Sequence, residues 1–393
     1  MTSAVAEQEM TEASGASRKK QHIAILSISL NIGGIERQYV RLANELVKRG
    51  FEVDFLLCVK EGKFIEILDP EIKVITLANH PIPRKNLKSL ASYFKNYKPD
   101  ALLAGHDALN VIAIIAKMIA RSATRIVTVA HNTLSISWNE EMTPKRRVFK
   151  KVLIAIWRKA DVIAAVSEGA ARSLSSLISV PLGRIEVPYV PIVSDEITKL
   201  ANEPVDDAWI IDPNLKVVLC VGRIVKEKNL SLLVRSFARV AKLGKCRLIL
   251  LGDGDDKVNI QNEVKALGVQ DWVKMPGLIS NPYPYMKGAD VLVLSSNREG
   301  LPAVLIEGLA VGVPIVSTNC PSGADEIMEN GKWGHLIPTN DEDAMVKAIS
   351  EALTEKHMIR PESYSRFTVE NSTTAYQELL VGPPRSPSGE GNI

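Results

Sequence analysis

Short apolar runs alternate with amphipathic stretches along most of the chain. The run His22–Ser29 predicts a buried strand, a turn containing Gly33 and Gly34 follows it, and the apolar positions of 35–49 have helical spacing. Phe51–Val59 predicts the next strand. The chain therefore begins as a strand–helix–strand unit.

The same alternation continues to about residue 190 and starts again after a polar, acidic and proline-containing segment. Further strands are predicted at Val74–Leu77, Ala101–Ala104, Arg125–Ala130, Asp161–Val166, Ile185–Val190, Lys216–Val221, Arg247–Leu251, Val273–Met275, Val291–Leu294 and Ile315–Ser317. Helical patterns separate most of them. The pattern predicts an α/β protein with two doubly wound domains in tandem and a ligand site in the cleft between them.

Composition shifts divide the chain into six predicted parts. These are a disordered tail (1–20), a first Rossmann-like domain (21–195), a linker (196–214), a second Rossmann-like domain (215–358), a C-terminal helix (359–380) and a disordered tail (381–393). The length of 393 residues suits two hydrophobic cores better than one.

Charge is spread unevenly over the two halves. The net charge is only +3, which disfavours nucleic acid as a partner, but residues 1–196 carry 27 Lys and Arg against 20 Asp and Glu. The remaining residues carry 21 against 25. A basic first half indicates an anionic ligand or an anionic membrane face.

Residues 143–160 combine a basic helical face with an apolar one. Arg147, Lys151 and Arg158 share the basic face, and the other face includes Phe149. This pattern is typical of a helix that lies on an anionic membrane surface. It is also compatible with a surface helix that packs on the sheet, and the sequence leaves both interpretations open.

Four scattered cysteines have no metal-ligand spacing, so we expect buried free thiols and a reducing compartment. The segment 18–30 resembles a short signal peptide, but mostly polar residues precede it and we interpret it as the first strand. No apolar stretch reaches the roughly 18–20 residues of a membrane-spanning helix.

The loop after strand Lys216–Val221 carries two cations, Arg223 and Lys228. A guanidinium fork and a lysine charge on one strand-to-helix loop can hold a diphosphate, although a solvated loop would look the same. The acids of 252–256 could bind a metal ion or serve as turn and helix-capping residues. Because the two cations can carry the phosphate charge, we expect no metal.

The segment 295–307 follows a predicted buried strand and contains two carboxylates, Glu299 and Glu307. Their eight-residue separation exceeds the spacing of a helical side-chain pair, so the two acids need not act as one acid/base couple. A helix begins near its middle, so backbone N–H groups there can bind an anion. The expected donor-site residues of this segment are Glu299, Gly300, Leu301, Pro302, Ala303, Val304 and Glu307.

His131 directly follows a predicted strand, at the sheet edge where open α/β sheets bind ligands. His106 is placed similarly. A lone histidine is often structural, and both interpretations stay open. Gly33 and Gly34 at the head of a helix allow backbone N–H groups to approach an anion. They are not the three-glycine dinucleotide motif, which disfavours a nicotinamide enzyme.

In combination these motifs resemble the retaining family-4 glycosyltransferases of the GT-B fold, over roughly 22–380. The resemblance rests on Arg223 with Lys228, on the glutamates of REGLPAVLIE, and on Gly33-Gly34. The segment 321–326 is also similar to bacterial members. The resemblance implies two Rossmann-like domains that face each other across a cleft, the first for the acceptor and the second for the donor. It also implies that the last helix crosses back to the first domain.

The resemblance further implies metal-independent, cofactor-free transfer from a nucleoside-diphosphate sugar with retention of configuration. Arg223 and Lys228 would hold the diphosphate, Glu307 the ribose and Glu299 the donor sugar. His131 would lie near the donor sugar, which makes Glu299, His131, Arg223 and Lys228 the expected catalytic residues, and Gly33 and Gly34 would face the phosphates. Many members have a bulkier aromatic residue where this loop has Leu-Pro-Ala, so the pocket beside the sugar is expected to differ.

We therefore expect an enzyme that moves a sugar from a UDP- or GDP-linked donor to a saccharide or polyprenyl-linked acceptor in cell-surface polysaccharide or glycolipid synthesis. It would be cytoplasmic and peripheral on the inner face of the plasma membrane, through helix 143–160. Alternatives are a GT-B nucleotide-sugar epimerase and a non-catalytic saccharide-binding protein.

Overall fold

A computed structural model describes residues 20–31, 33–131, 144–242, 244, 246–354 and 360–382, with the side chains of 144–150 excepted. Nearly all of the two predicted disordered tails lies outside these residues.

Seven parallel strands of the first domain form one sheet in the order β3-β2-β1-β4-β5-β6-β7. They are β1 (His22–Ser27), β2 (Glu52–Leu57), β3 (Lys73–Thr76), β4 (Ala101–Ala104), β5 (Arg125–Ala130), β6 (Val162–Ala165) and β7 (Ile185–Glu186). All six residues of β1 are buried. Helices cover both faces of such a sheet, which explains the continuous apolar runs of the central strands.

Six parallel strands of the second domain form a sheet in the order β10-β9-β8-β11-β12-β13. They are β8 (Lys216–Val221), β9 (Cys246–Leu251), β10 (Val273–Gly277), β11 (Val291–Leu294), β12 (Ile315–Thr318) and β13 (His335–Ile337). The strand order reverses beside β1 in the first sheet and beside β8 in the second. Ligands bind at such reversal points.

Helices surround both sheets and connect the strands. Those of the first domain are α1 (Gly34–Lys48), α2 (Leu87–Tyr97), α3 (Asp107–Ala120), α4 (Pro144–Trp157) and α5 (Glu168–Ile178). The others are α6 (Asp195–Ala201), α7 (Ala208–Ile211), α8 (Leu230–Ala241), α9 (Lys257–Ala266), α10 (Tyr283–Gly288), α11 (Ala303–Val311), α12 (Ala324–Ile327), α13 (Glu342–Ala352) and α14 (Val369–Val381). The two-domain α/β architecture agrees with the predicted fold class.

Four details differ from the sequence prediction. Strand β7 ends at Glu186, although the predicted strand continued to Val190. Helix α2 and strand β13 were not predicted; β13 is only three residues long and follows glycines that indicate turns. The segment predicted as a linker contains α6 and α7. Ile197 and Ala201 of α6 are buried in an apolar cluster with residues of the second sheet, so this segment is part of the second domain's core.

The last helix, α14, packs on α1 of the first domain. Arg49 at the end of α1 donates hydrogen bonds to Thr374 Oγ1 (2.9 Å) and to the Glu370 carbonyl (2.8 Å). Before the helix, the amides of Ile192 and Val193 both donate to the Phe367 carbonyl at 3.0 Å. Two chain segments therefore join the domains side by side.

All four cysteines are buried free thiols, as predicted. Within the described part of the chain, no helix is both long and apolar enough to cross a bilayer.

Candidate functional site

A cavity of about 640 Å³ lies between the domains, at the carboxyl ends of strands from both sheets. Eight of the predicted site residues line it: Gly33, Gly34, His131, Arg223, Glu299, Gly300, Leu301 and Ala303. The structure places Lys228, Pro302, Val304 and Glu307 outside this lining.

Lys228 and Glu299 form an ion pair beside the cavity. The Lys228 ammonium lies 2.6 Å from Glu299 Oε1, which also accepts a hydrogen bond from Ser296 Oγ at 2.6 Å. The two ionic side chains are only 20% and 14% exposed, so the attraction is screened less than at an open surface. The sequence prediction gave these residues separate ligands; the structure adds that each orients the other.

Arg223 lies in the loop after β8, which closely approaches the loop after β9. Gly222 and Gly252 make this approach possible. A methyl group on Gly252 would lie 1.8 Å from the Gly222 carbonyl oxygen, and the φ of Gly252 is +145°. The Lys228 ammonium lies close to the position that a side chain on Gly222 would occupy. The ends of β8, β9 and β11 thus place Arg223, Lys228 and Glu299 together at the reversal point of the second sheet.

His131 lies at the end of β5 on the opposite wall. Its Nε2 shares a 2.9 Å hydrogen bond with the Tyr39 hydroxyl. Burial, with a smaller effect of nearby His106, lowers the pKa of His131 to about 3. The imidazole is therefore neutral at physiological pH. Gly105 makes the contact possible, since a methyl group there would lie 1.6 Å from the Tyr39 hydroxyl oxygen.

Three polar residues of this wall were missed by the sequence analysis. Tyr39 is one of the apolar positions of the helical pattern 35–49, and that pattern does not indicate that its hydroxyl meets His131. Glu36 and Gln38 line the cavity, whereas Tyr39 lies behind His131, and Gln38 Oε1 is buried without a hydrogen-bond partner among the described residues. His106 Nε2 lies 3.7 Å from Glu36 Oε1. Their positions within the helical pattern gave no signal that they lie at a cavity.

Glu307 lies at the domain interface, where the Tyr283 hydroxyl donates a hydrogen bond to Oε1 at 3.0 Å. Arg37 of the first domain donates to the same hydroxyl at 3.4 Å. Burial raises the pKa of Glu307, and the Tyr283 bond with the charges of Arg41 and Arg37 partly opposes the rise. Its expected contact with a ribose stays a prediction.

The acids of 252–256 are engaged by their neighbours. Asp253 accepts from the Gly254 amide at 2.9 Å and pairs with Lys257 at 3.3 Å, and Asp256 accepts from Asn259 at 2.7 Å. These are turn and helix-start contacts. No cluster of three or more His, Cys, Asp or Glu residues suited to a metal ion occurs within the described ranges.

Helix α4 has two kinds of surface. Trp157 is fully buried, and its indole donates to Thr128 Oγ1 at 3.0 Å, so this end of the helix packs on the sheet. Lys151 and Val152 are exposed. Arg158 donates through Nε to the Ile178 carbonyl and anchors the chain there. Arg147 and Phe149, predicted on the basic and the apolar face, have side chains outside those that the structure describes.

Known families match the chain over two consecutive segments. Residues 32–195 match the family described as Glycosyltransferase Family 4, and residues 203–370 match Glycosyl transferases group 1. Together they span most of the chain and both sides of the cavity.

Two curated relatives and one solved structure are similar over nearly their whole lengths. The N-acetylgalactosamine-N,N'-diacetylbacillosaminyl-diphospho-undecaprenol 4-alpha-N-acetylgalactosaminyltransferase of Campylobacter jejuni is 28% identical, covering 85% of this chain and 90% of its own. The lipopolysaccharide core biosynthesis glycosyltransferase LpsE of Rhizobium meliloti is 27% identical over 90% and 97%. Anabaena HepE in complex with UDP superposes with a TM-score of 0.72 at 20% identity, over 92% and 99% of the two chains.

Proposed function

Because the chain belongs to the family-4 type of glycosyltransferases with the GT-B fold, we propose that it transfers a sugar from a nucleoside-diphosphate sugar to a saccharide or polyprenyl-linked saccharide, with retention of configuration. The product would enter cell-surface polysaccharide or glycolipid synthesis, as the names of the two relatives indicate for those proteins. UDP in the HepE complex supports a nucleotide donor of this kind.

One observation carries the proposal: Arg223 and the Lys228–Glu299 pair converge at the reversal point of the second sheet and face His131 across one cavity. In the proposed complex, Arg223 and Lys228 hold the diphosphate and balance the charge that develops on the leaving group. Glu299, held by Lys228 and Ser296, accepts from the sugar hydroxyls. Glu307 gives up the hydrogen bond that it accepts from Tyr283 and accepts one from the ribose instead.

The first-domain wall would receive the acceptor and the sugar. Neutral His131, oriented by Tyr39, can form a hydrogen bond without adding a charge. Gly33 and Gly34 offer backbone amides to the phosphates. In this arrangement the leaving phosphate is the proposed proton acceptor for the attacking hydroxyl.

A donor panel tests the proposal. Thermal shifts with UDP- and GDP-linked sugars identify the donor, because a ligand that binds only the folded protein raises its stability by mass action. Incubation with that donor and lipid-linked saccharides, followed by NMR of the new anomeric proton, is expected to show the donor's configuration in the product. An inverted product contradicts retention, an isomerised donor without acceptor identifies an epimerase, and donor binding without turnover identifies a binding protein.

Metal independence is proposed because Arg223 and Lys228 supply the charge that a metal would bring to a diphosphate. The transfer rate is expected to be the same in excess chelator as in magnesium. A rate that falls with chelator and returns with the metal would contradict this part of the proposal.

We also propose that the first domain binds the anionic inner face of the plasma membrane, where the lipid-linked acceptor lies. Helices α3 and α4 pack on each other, and both expose apolar side chains: Met118 and Ile119 are more than half exposed and Val152 is 49% exposed. Lys151 and Lys159 are exposed nearby along the chain. Buried free thiols support the cytoplasmic side.

Vesicle co-sedimentation tests this surface. The double variant Lys151→Glu with Lys159→Glu leaves the anchor Arg158 intact and is expected to release the protein from phosphatidylglycerol vesicles. The matched control is Lys242→Glu with Lys347→Glu, which makes the same charge change at exposed lysines of the second domain. Equal binding by both variants, or equal binding to neutral vesicles, would refute the membrane surface.

A further inference from the structure

The start of helix α5 in the first domain contacts the segment 322–326 of the second domain. The amide of Glu168, in the first turn of α5, donates to both carboxylate oxygens of Glu326, at 3.1 and 2.9 Å. Tyr189 of the first domain also forms a hydrogen bond with this carboxylate. Because the first amides of a helix have no partner within the helix, a carboxylate from the other domain satisfies one of them.

The same helix start holds the loop that carries Glu299. Ser167 is the N-cap of α5: its Oγ accepts from the Ala170 amide at 3.1 Å and donates to the Gly300 carbonyl at 2.9 Å. From the second domain, Ser322 Oγ contacts the carbonyls of Glu299 and Gly300 at 2.9 and 3.0 Å. Hydroxyls of both domains therefore hold the backbone immediately beside Glu299.

At this contact the backbones of α5, the loop of Glu299 and segment 322–326 lie very close together. A methyl group on Gly169 would lie 2.6 Å from Ser322 Cα. Gly323, with φ of +89°, would place a methyl group 2.9 Å from Pro302 Cδ and 3.1 Å from the Gly300 carbonyl. Glycine at both positions lets α5, the donor loop and segment 322–326 meet.

We propose that Ser167 and Glu326 act as a clasp between the domains that sets the position of Glu299, so that alignment of the domains and geometry of the donor site are coupled. This inference rests on the proposed function and adds two positioning residues to it. Neither side chain lines the cavity. Glu326 holds α5 against the second domain, and Ser167 passes that alignment to Gly300 and hence to Glu299.

Hydrogen exchange and kinetics of Glu326 variants test the clasp. Glu326→Ala is expected to speed amide exchange in residues 296–303, to which the Glu326 carboxylate forms no hydrogen bond among the described residues. It is also expected to lower kcat at least tenfold, because small misplacements at a reacting centre are costly. The donor-induced thermal shift should stay close to wild type, since Arg223 and Lys228 are unchanged. Glu326→Gln keeps an acceptor oxygen and should restore most of kcat.

Glu329→Ala is the matched control, because Glu329 lies three residues away and pairs with Lys332 at 2.7 Å within the second domain. It should leave exchange and kcat unchanged. Ser167→Asp separates the two roles of Ser167: a carboxylate still caps α5 but has no proton to donate to Gly300. Ser167→Asp should show the same faster exchange of 296–303. Ser167→Thr keeps the hydroxyl and should exchange at the wild-type rate.

Unchanged exchange of 296–303 in both Glu326→Ala and Ser167→Asp would overturn the clasp, as would kcat within twofold of wild type in an active enzyme. If wild-type protein shows no transfer with any donor, the proposed function fails, and the exchange measurement alone decides the clasp. If Glu326→Ala does not fold, Ser167→Asp gives the same decision.

Discussion

Lys228 and Glu299 combine opposite charges, partial burial and a 2.6 Å contact at the edge of the cavity. Removing the lysine would leave Glu299 without its cation and, in the proposed complex, leave the diphosphate with Arg223 alone. We expect Lys228→Ala and Arg223→Ala to lose about 2–4 kcal/mol of transition-state stabilisation, as when one preorganised electrostatic donor is removed. Initial transfer rates at saturating acceptor measure the loss.

Lys226→Ala is the control for charge, because Lys226 is an exposed lysine of the same loop. It should transfer sugar at the wild-type rate. The combined change of Lys228 and Glu299 should cost less than the sum of the single changes, since the two side chains are in contact. Normal rates in Lys228→Ala and Arg223→Ala would remove the diphosphate clamp from the proposal.

His131 makes the protein sensitive to acid. Its pKa is about 3 in the folded protein, below the ordinary value of 6.5, because burial opposes the charged form. The unfolded chain then binds more protons between these values, so stability falls as pH drops below about 6.5. We expect this residue to cost about 2 kcal/mol at pH 5 relative to pH 7.5.

Urea unfolding of wild type and His131→Asn at the two pH values measures that difference. The variant should lose less stability on acidification. Equal acid sensitivity of His131→Asn and wild type would mean that the imidazole is protonated in the fold.

At the scale of elements, the ends of parallel strands decide where the chemistry lies. β8, β9 and β11 are adjacent in the second sheet, and their following loops supply Arg223, Gly252 and Glu299. The loops after β8 and β9 can approach this closely only because Gly222 and Gly252 have no side chains. The site thus depends on the missing side chains of Gly222 and Gly252, whose backbone lines the cavity.

Gly252→Ala tests this dependence. The added methyl group would lie 1.8 Å from the Gly222 carbonyl, and φ of +145° is unfavourable for alanine, at a cost of about 1–3 kcal/mol. We expect the loops to separate, the unfolding midpoint to fall and the donor affinity to drop at least tenfold in thermal-shift titrations. Gly183→Ala, which meets nothing within 4 Å, is the control. Wild-type donor affinity in Gly252→Ala would contradict the role of this approach.

At the scale of the whole molecule, the domains share apolar packing as well as polar contacts. One buried cluster includes the first sheet, Leu305 and Ile306 of α11, and Phe367 and Tyr376 of the C-terminal segment. The C-terminal helix therefore belongs to the core that holds the two halves together, and the cleft forms beside this joint core.

Substitution of Tyr376 tests how much the C-terminal helix contributes to this shared core. Its ring is fully buried, and among the described residues its hydroxyl has no hydrogen-bond partner. Tyr376→Ala is expected to cost about 3–5 kcal/mol in denaturant unfolding, as for other large-to-small core changes. Tyr376→Phe should be neutral or slightly stabilising, because it removes a buried unpaired hydroxyl. Wild-type stability of Tyr376→Ala would show that α14 does not contribute to the core.

The alternation of apolar runs and amphipathic stretches was sufficient to predict two parallel α/β domains, because central parallel strands are buried on both faces and helices on one. It also predicted the loops that meet at the cavity, since β-strand carboxyl ends share one sheet edge. It missed β13, which is too short for a periodic signal, and it interpreted the region of α6 and α7 as a linker.

Sequence by itself thus determined the architecture and the candidate residues, through local periodicity and motif spacing. Only the tertiary structure decided the pairings: Lys228 with Glu299 across 71 positions, Tyr39 with His131 across 92, and Ser167 with Gly300 across 133. Such contacts depend on how the sheets and domains pack, and no local pattern encodes which distant side chains meet. That packing also placed Glu307 at the domain interface, bonded to Tyr283, rather than on the wall of the cavity.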